Sequence, residues 1–266
     1  MLSLVYAMHN RTQIFARTLD TLAEQDLPPV AWELVVVDDG GTDPALVSLL
    51  DRTHAVHGWN IQYHRIDLRQ HPYPVFQTAV GANNPCVAWN VGIREAVGER
   101  IVLSSPEIAH RFPTNLTFCA EWDLDPVEAL IGDVWDAEHA DTPGLQGWIS
   151  GGPMHRALAF LQVAYRERLL QVGGFEERFI SGYAWDDVEF VTRWYRSGGQ
   201  FVFSGPVLQA EHLWHPRPVH EVQDAYQKNH QLYESLQTGL PFCTANVGHA
   251  WGSSALIVAT QRWTYE

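Results

Sequence analysis

Over the first 107 positions, short β-branched runs alternate with longer stretches whose apolar residues fall at helical spacing. Leu2 to Ala7 reads as a strand, ended by the polar turn His9-Asn10-Arg11. From Thr12 onward, Ile14, Phe15, Leu19 and Leu22 mark one face of a helix. Pro28-Pro29 closes that connection, and Leu34-Val35-Val36-Val37 follows with three β-branched residues in a row. Such a run fits a strand buried on both faces of a parallel sheet. The opening is therefore a βαβ unit with a right-handed crossover. The rhythm then predicts a short helix over Pro44 to Leu50, a strand over Ile61 to Arg65 and a loop over 68–86. A helix over Val87 to Val97, ended by Gly98, and a strand over Arg100 to Ser104 complete an alternating α/β half.

The second half is less regular. It predicts a helix within 113–130, a strand over 131–136 and a Gly/Pro-rich loop over 141–153. A strand over Phe160 to Tyr165 runs into a short helix, Arg166 to Val172, which Gly173-Gly174 breaks. A helix over Asp186 to Ser197 stops at Gly198-Gly199 and precedes a strand over Phe201 to Phe203. Val219 to Leu236 reads as a helix with a polar face. The last 30 residues read as a tail with little signal, and no internal repeat is visible.

The chemistry enters at the end of the second strand. The apolar run stops at Asp38-Asp39, and Gly40-Gly41 turns the chain. Open α/β sheets bind ligands at the carboxyl ends of their strands. A buried strand gains nothing structurally from two adjacent acids at its exit, whereas a nucleotide gains an acceptor for its base or ribose. The competing reading is an Asp-Gly turn capped by its own carboxylates. On this segment alone the two readings stand level.

Composition narrows the classes. A net charge of −14 argues against a nucleic-acid partner, which needs clustered Lys and Arg. Three widely spaced cysteines do not make a disulfide framework, so a reducing, cytoplasmic location is expected. The first residues enter a strand too directly for a signal peptide, and no apolar run is long enough to span a bilayer. Eleven tryptophans suit a cleft for sugars or bases, and equally a core.

Five segments, in order over roughly residues 2–216, together resemble the inverting GT-A glycosyltransferases of family 2. They are LVYAMHNR with VVVDDGGTD, then NPCVAWNVGIREAVGERIVLSSPE, VAYRERLLQVGGFEERF, WDDVEF and AEHLWHP. The resemblance implies a GT-A fold: α/β, with a Rossmann-like, mostly parallel central sheet flanked by helices, in one domain with a C-terminal helical extension. It divides the chain into a nucleotide-sugar-binding half (1–107), an acceptor-binding and catalytic half (108–216) and a C-terminal helix and tail (217–266).

The resemblance also implies roles. Glu107 matches the metal-holding acid, with His212 or His215 completing a site for Mn²⁺ or Mg²⁺. Asp187 matches the catalytic base, and Asp186 is an acceptor-hydroxyl ligand. Asp39, then Asp38, with Ala7, His9 and Arg11, line the nucleotide pocket. Trp148, Tyr183 and Trp185 flank the cleft and offer aromatic faces to the acceptor glycan.

This sequence departs from the family in four places. Ser105-Pro106-Glu107 stands for Asp-x-Asp, and Trp89 for an Arg. Asp186 replaces a longer Glu, and the aromatic that often stacks on the base after the first strand is absent or replaced by His9. The activity implied is metal-dependent, inverting transfer from a nucleotide sugar, UDP-linked in the first instance, to an acceptor hydroxyl. The rivals are an inactive sugar- or nucleotide-binding module of this fold and a transferase that uses another nucleotide sugar without a firm metal. A nucleotide-dependent oxidoreductase fits poorly, because the turn AMHNRTQ lacks G-x-G-x-x-G.

Overall fold

In β1 (Leu2–Met8) and β2 (Trp32–Asp39), successive side chains enter two different cores. Leu4, Tyr6, Leu34 and Val36 pack with Phe15, Leu19 and Leu22 of α1 (Thr12–Ala23) and Leu46 and Leu50 of α2 (Ala45–His57). Val5, Val35 and Val37 pack on the other face, against α3 (Pro85–Glu95). Burial on both faces is why β2 reads as an unbroken apolar run rather than an alternating one. These features come from a computed structural model that describes residues 1–73, 85–136, 147–179, 184–215, 222–238, 243–248 and 250–264.

The remaining elements are β3 (Ile61–Ile66), β4 (Arg100–Ser104), β5 (Ile108–His110), α4 (Asn115–Glu121), β6 (Glu128–Ile131) and β7 (Asp133–Asp136). They continue with β8 (Gly147–Ser150), β9 (Leu161–Tyr165), α5 (Arg166–Gln171), α6 (Asp186–Arg196) and β10 (Gln200–Phe203). The chain closes with β11 (Gln209–His212), α7 (Val222–Gln237) and β12 (Ile257–Trp263). An eight-stranded sheet runs β10-β6-β9-β4-β1-β2-β3-β12, parallel through β4-β1-β2-β3 and at β10-β6. A four-stranded sheet runs β5-β11-β7-β8. The expected α/β fold, a mostly parallel central sheet flanked by helices, is present.

Gly92 sets the distance between α3 and the sheet. A Cβ there would lie 2.3 Å from Val5 Cγ1, so only glycine lets the helix seat this closely on β1.

Four expectations are corrected. The helix predicted to stop at Leu50 continues to His57, because Leu50 and Thr53 extend its buried stripe and left-handed Gly58 ends it. The strand expected over 131–136 is two strands in different sheets. The switch comes at Gly132, where a Cβ would lie 2.8 Å from a Leu161 methyl. The expected loop over 141–153 contains β8, and the part of it within 137–146 lies outside the described residues.

The last 30 residues are not a tail. β12 pairs antiparallel with β3, from Ile257 opposite Ile66 to Trp263 opposite Ile61. Residues 258–262 of that edge strand are exposed, so it carries no alternation to read. Upstream of it, Asn246 donates through Nδ2 to the carbonyls of Gly173 (2.8 Å) and Phe175 (2.6 Å), and Gly252 N–H donates to buried Glu177 (2.7 Å). All three cysteines are free. Among the described residues, no helix is long and apolar enough to cross a membrane.

Candidate active site

β5 and β11 bring together two parts of the chain about a hundred residues apart. They pair antiparallel with His212 opposite Ile108, and Leu213 N–H donates to the Glu107 carbonyl at 2.7 Å. Glu107 sits in the turn between β4 and β5, and His212 ends β11. Nε2 of His212 and Nε2 of His215 lie 3.8 and 3.7 Å from Oε1 of Glu107, and the three ligand atoms fall within 4.8 Å of one another.

This geometry fits a divalent cation. Oε2 of Glu107 is buried with no hydrogen-bond partner. Asp136, opposite His212 in the β7–β11 ladder, accepts from its Nδ1 at 3.1 Å and leaves Nε2 as the lone-pair nitrogen facing Glu107. One carboxylate and two imidazoles suit Mn²⁺ better than an all-oxygen cation such as Ca²⁺. Burial pushes the Glu107 carboxyl up. The two imidazoles and the Arg11 guanidinium, which donates to Oε1 at 2.7 Å, outweigh it and hold the group well below the usual carboxylate range.

The turn after β1 links this centre to the acid pair. Nδ1 of His9 donates to the Asp39 carbonyl at 2.8 Å, which leaves Nε2 to accept from Asn10 at 3.2 Å. Asn10, in the left-handed region at φ 53, accepts the Thr42 N–H at 2.7 Å. The loops after β1 and β2 are thus tied together.

The two acids have different surroundings. Asp38 accepts from Gly41 N–H at 2.8 Å and from Tyr63 Oη–H at 2.9 Å, so one oxygen caps the turn and the other holds β3. Asp39 is buried and lies on the same sheet face as Ala7, the face of Val5 and Val37. The turn-capping reading therefore describes Asp38.

α6 presents the other acids. Ala184 and Trp185 enter the helix in the left-handed region, at φ 61 and 73, a costly conformation for residues with a Cβ. Glu189 is bound at both oxygens by Arg193, at 2.7 and 2.8 Å. Cys86 Sγ–H donates to Asp186 at 3.7 Å, and Ala159 N–H to Asp187 at 3.5 Å. Burial raises the pKa of Asp186, and burial together with the adjacent Asp186 raises that of Asp187. The residue after Ala159, Phe160, packs edge-on to His212 with ring centroids 6.0 Å apart. Asp187 and the Glu107 centre therefore flank the same turn ahead of β9.

The predicted aromatic residues separate. Trp185 packs under α7, against Tyr226, His230 and Tyr233 at centroid distances of 5.6, 4.3 and 5.2 Å. Trp148 lies on β8 against Trp135, two strands or about 10 Å from His212. Tyr183 lies outside the described residues. Sequence reasoning missed Asp136 and Asn10. Asp136 meets His212 only through the parallel β7–β11 register, which no local pattern announces.

No protein-family model matches the chain, and no curated protein sequence does. Solved structures match clearly. A mannosyltransferase from Pyrobaculum calidifontis, in complex with GDP-Man and Mn²⁺, aligns at a TM-score of 0.61 and 18% identity, over 91% of this chain and 66% of that one. S. aureus TarS 1-349 with UDP-GlcNAc aligns at 0.63 and 15%, over 90% and 67%. That is the GT-A glycosyltransferase fold. GalNAc-T7 with UDP, GalNAc and Mn²⁺ aligns at 0.62 and 14%, over 89% of this chain and 48% of that one. The chain thus spans about two thirds of the mannosyltransferase and about half of GalNAc-T7.

Proposed function

We propose that this GT-A chain is a divalent-metal-dependent glycosyltransferase that moves a sugar from a nucleotide sugar to an acceptor hydroxyl with inversion. The observation that carries the reading is a run of contacts at one edge of the sheet, bridged by the backbone of the turns at His9-Asn10-Arg11 and Ala159-Phe160. Asp39 is joined to His9, Arg11 to Glu107, Glu107 to His212 and His215, His212 to Phe160, and neighbouring Ala159 to Asp187. That order matches a nucleotide, a diphosphate, a sugar and an attacking hydroxyl laid end to end.

In this reading Asp39 accepts from the base or ribose, in a pocket walled by Ala7 and His9. Glu107, His212 and His215 hold a divalent cation, which when bound neutralises charge on the departing diphosphate. Asp186 orients the acceptor hydroxyl, and Asp187 takes its proton as the oxygen attacks the anomeric carbon. Asp187 lies across the Ala159-Phe160 turn from the Glu107 centre, and no motif for a covalent nucleophile stands out in the sequence, so a single displacement with inversion at the anomeric carbon is the simplest course. The solved relatives carry both GDP- and UDP-linked ligands, and we take UDP as the first donor class to test.

Titration calorimetry with UDP tests the reading. UDP binds more tightly with Mn²⁺ than with a chelator if the triad holds the cation. Identical affinity in the two conditions overturns the metal assignment.

A further inference from the structure

Arg11 holds the one oxygen on which the triad converges. Its Nη1 lies 2.7 Å from Glu107 Oε1, and Nε2 of His212 and of His215 lie 3.8 and 3.7 Å from that same atom. A divalent cation held by that oxygen and both imidazoles would compete with the guanidinium for the same acceptor. Two positive groups cannot share one carboxylate oxygen at these distances without strong repulsion.

The arginine is the more exposed partner of the pair. The Arg11 side chain is 36% exposed, whereas that of Glu107 is 7% exposed. Arg11 occupies the N-cap position of α1, and its guanidinium, which has no acceptor, does not cap the helix, so moving it costs the helix no cap bond. Two residues earlier, His9 is fastened to the Asp39 carbonyl, which ties the turn after β1 to the end of β2.

We infer that Arg11 has two partners. It pairs with Glu107 as in this structure, and it passes to the diphosphate of the donor when Glu107 turns to a divalent cation. This rests on the reading of the triad as a cation site. Arg11 compensates a buried carboxylate that is costly to leave alone. Its transfer couples cation and nucleotide, each raising the affinity for the other.

The experiment compares wild type with Arg11→Ala, both checked by melting curve, using Mn²⁺ alone and then UDP at saturating Mn²⁺. The arginine competes for Oε1, so its loss tightens binding of Mn²⁺ alone by about ten- to hundredfold, the equivalent of one charge-assisted hydrogen bond. The same variant binds UDP about tenfold more weakly once Mn²⁺ is saturating. A folded variant whose affinity for Mn²⁺ alone is unchanged or weaker overturns the exchange while leaving the cation site standing. A wild type that takes up no Mn²⁺, with or without UDP, overturns both.

Discussion

The acids of this site are adjacent in sequence and unlike in surroundings. Asp38 holds the Gly41 N–H and the Tyr63 hydroxyl, whereas Asp39 sits on the sheet face that Ala7 shares. Asp38→Ala orphans two buried donors and lowers stability by about 1–3 kcal/mol in a denaturant titration. Asp39→Ala keeps the fold and weakens UDP binding by about 1.5–3 kcal/mol, measured by calorimetry, as expected for a hydrogen bond to a charged acceptor.

Asp187 differs in another way. Burial and Asp186 raise its pKa, and a base must be ionised to act, so kcat/KM rises with pH along a limb above the ordinary carboxylate range. Asp187→Asn keeps the shape, lowers transfer by about 10²–10⁴-fold and spares UDP binding. The folded chain holds the Asp187 proton to higher pH than the unfolded one. The stability that this gives is full below the unfolded pKa and is lost as pH rises through the folded one. The amide carries no such loss, so the variant melts above wild type at alkaline pH. Wild-type turnover in the variant would refute the base assignment.

At the scale of elements, the site depends on how closely a few of them approach. α3 seats on β1 through Gly92, and Asn90, two residues earlier, donates to the Phe175 carbonyl and Glu177 while accepting the Phe175 N–H at 2.8 Å. That side chain clips α3 to the turn after α5. Gly92→Ala drives a methyl into Val5, and overpacking of this kind costs about 1–3 kcal/mol in chemical denaturation. The entry to α6 is held in turn by the stack of Trp185 on Tyr226, His230 and Tyr233. The aromatic face that sequence reasoning assigns to the acceptor is thus in contact with α7.

At the scale of the molecule, the C-terminal residues complete the central sheet and lock the buried glutamate turn. Glu177 accepts from Gly252 and Asn90, donates its own N–H to Asn246 Oδ1 at 3.0 Å, and lies 2.9 Å from His71 Nε2. Deleting residues from 239 onward removes β12 and leaves this carboxylate short of partners. The truncated chain is expected to lose its cooperative melting transition by circular dichroism. Asn246→Ala, a milder test, lowers stability by about 2–3 kcal/mol, because the Glu177 N–H and the Gly173 carbonyl lose this partner and the Phe175 carbonyl keeps only Asn90. A truncation that melts like wild type would show that the segment contributes nothing.

The sequence by itself determined the alternating half. Buried parallel strands need apolar residues on both faces, and helices need the 3.6 period, so β1, β2, β4, α1 and α3 were legible from local pattern. The candidate acids were also legible, because an acid at a strand exit or helix start is chemically conspicuous. Beyond the β1–β2 unit, tertiary structure alone decided which strand lies beside which. The short strands β5 and β11 and the exposed edge strand β12 gain their stability from partners distant in the chain, and no local period records a partner. That pairing places Glu107 beside His212 and sets Asp136 behind it. It also gives Arg11 an oxygen to hold.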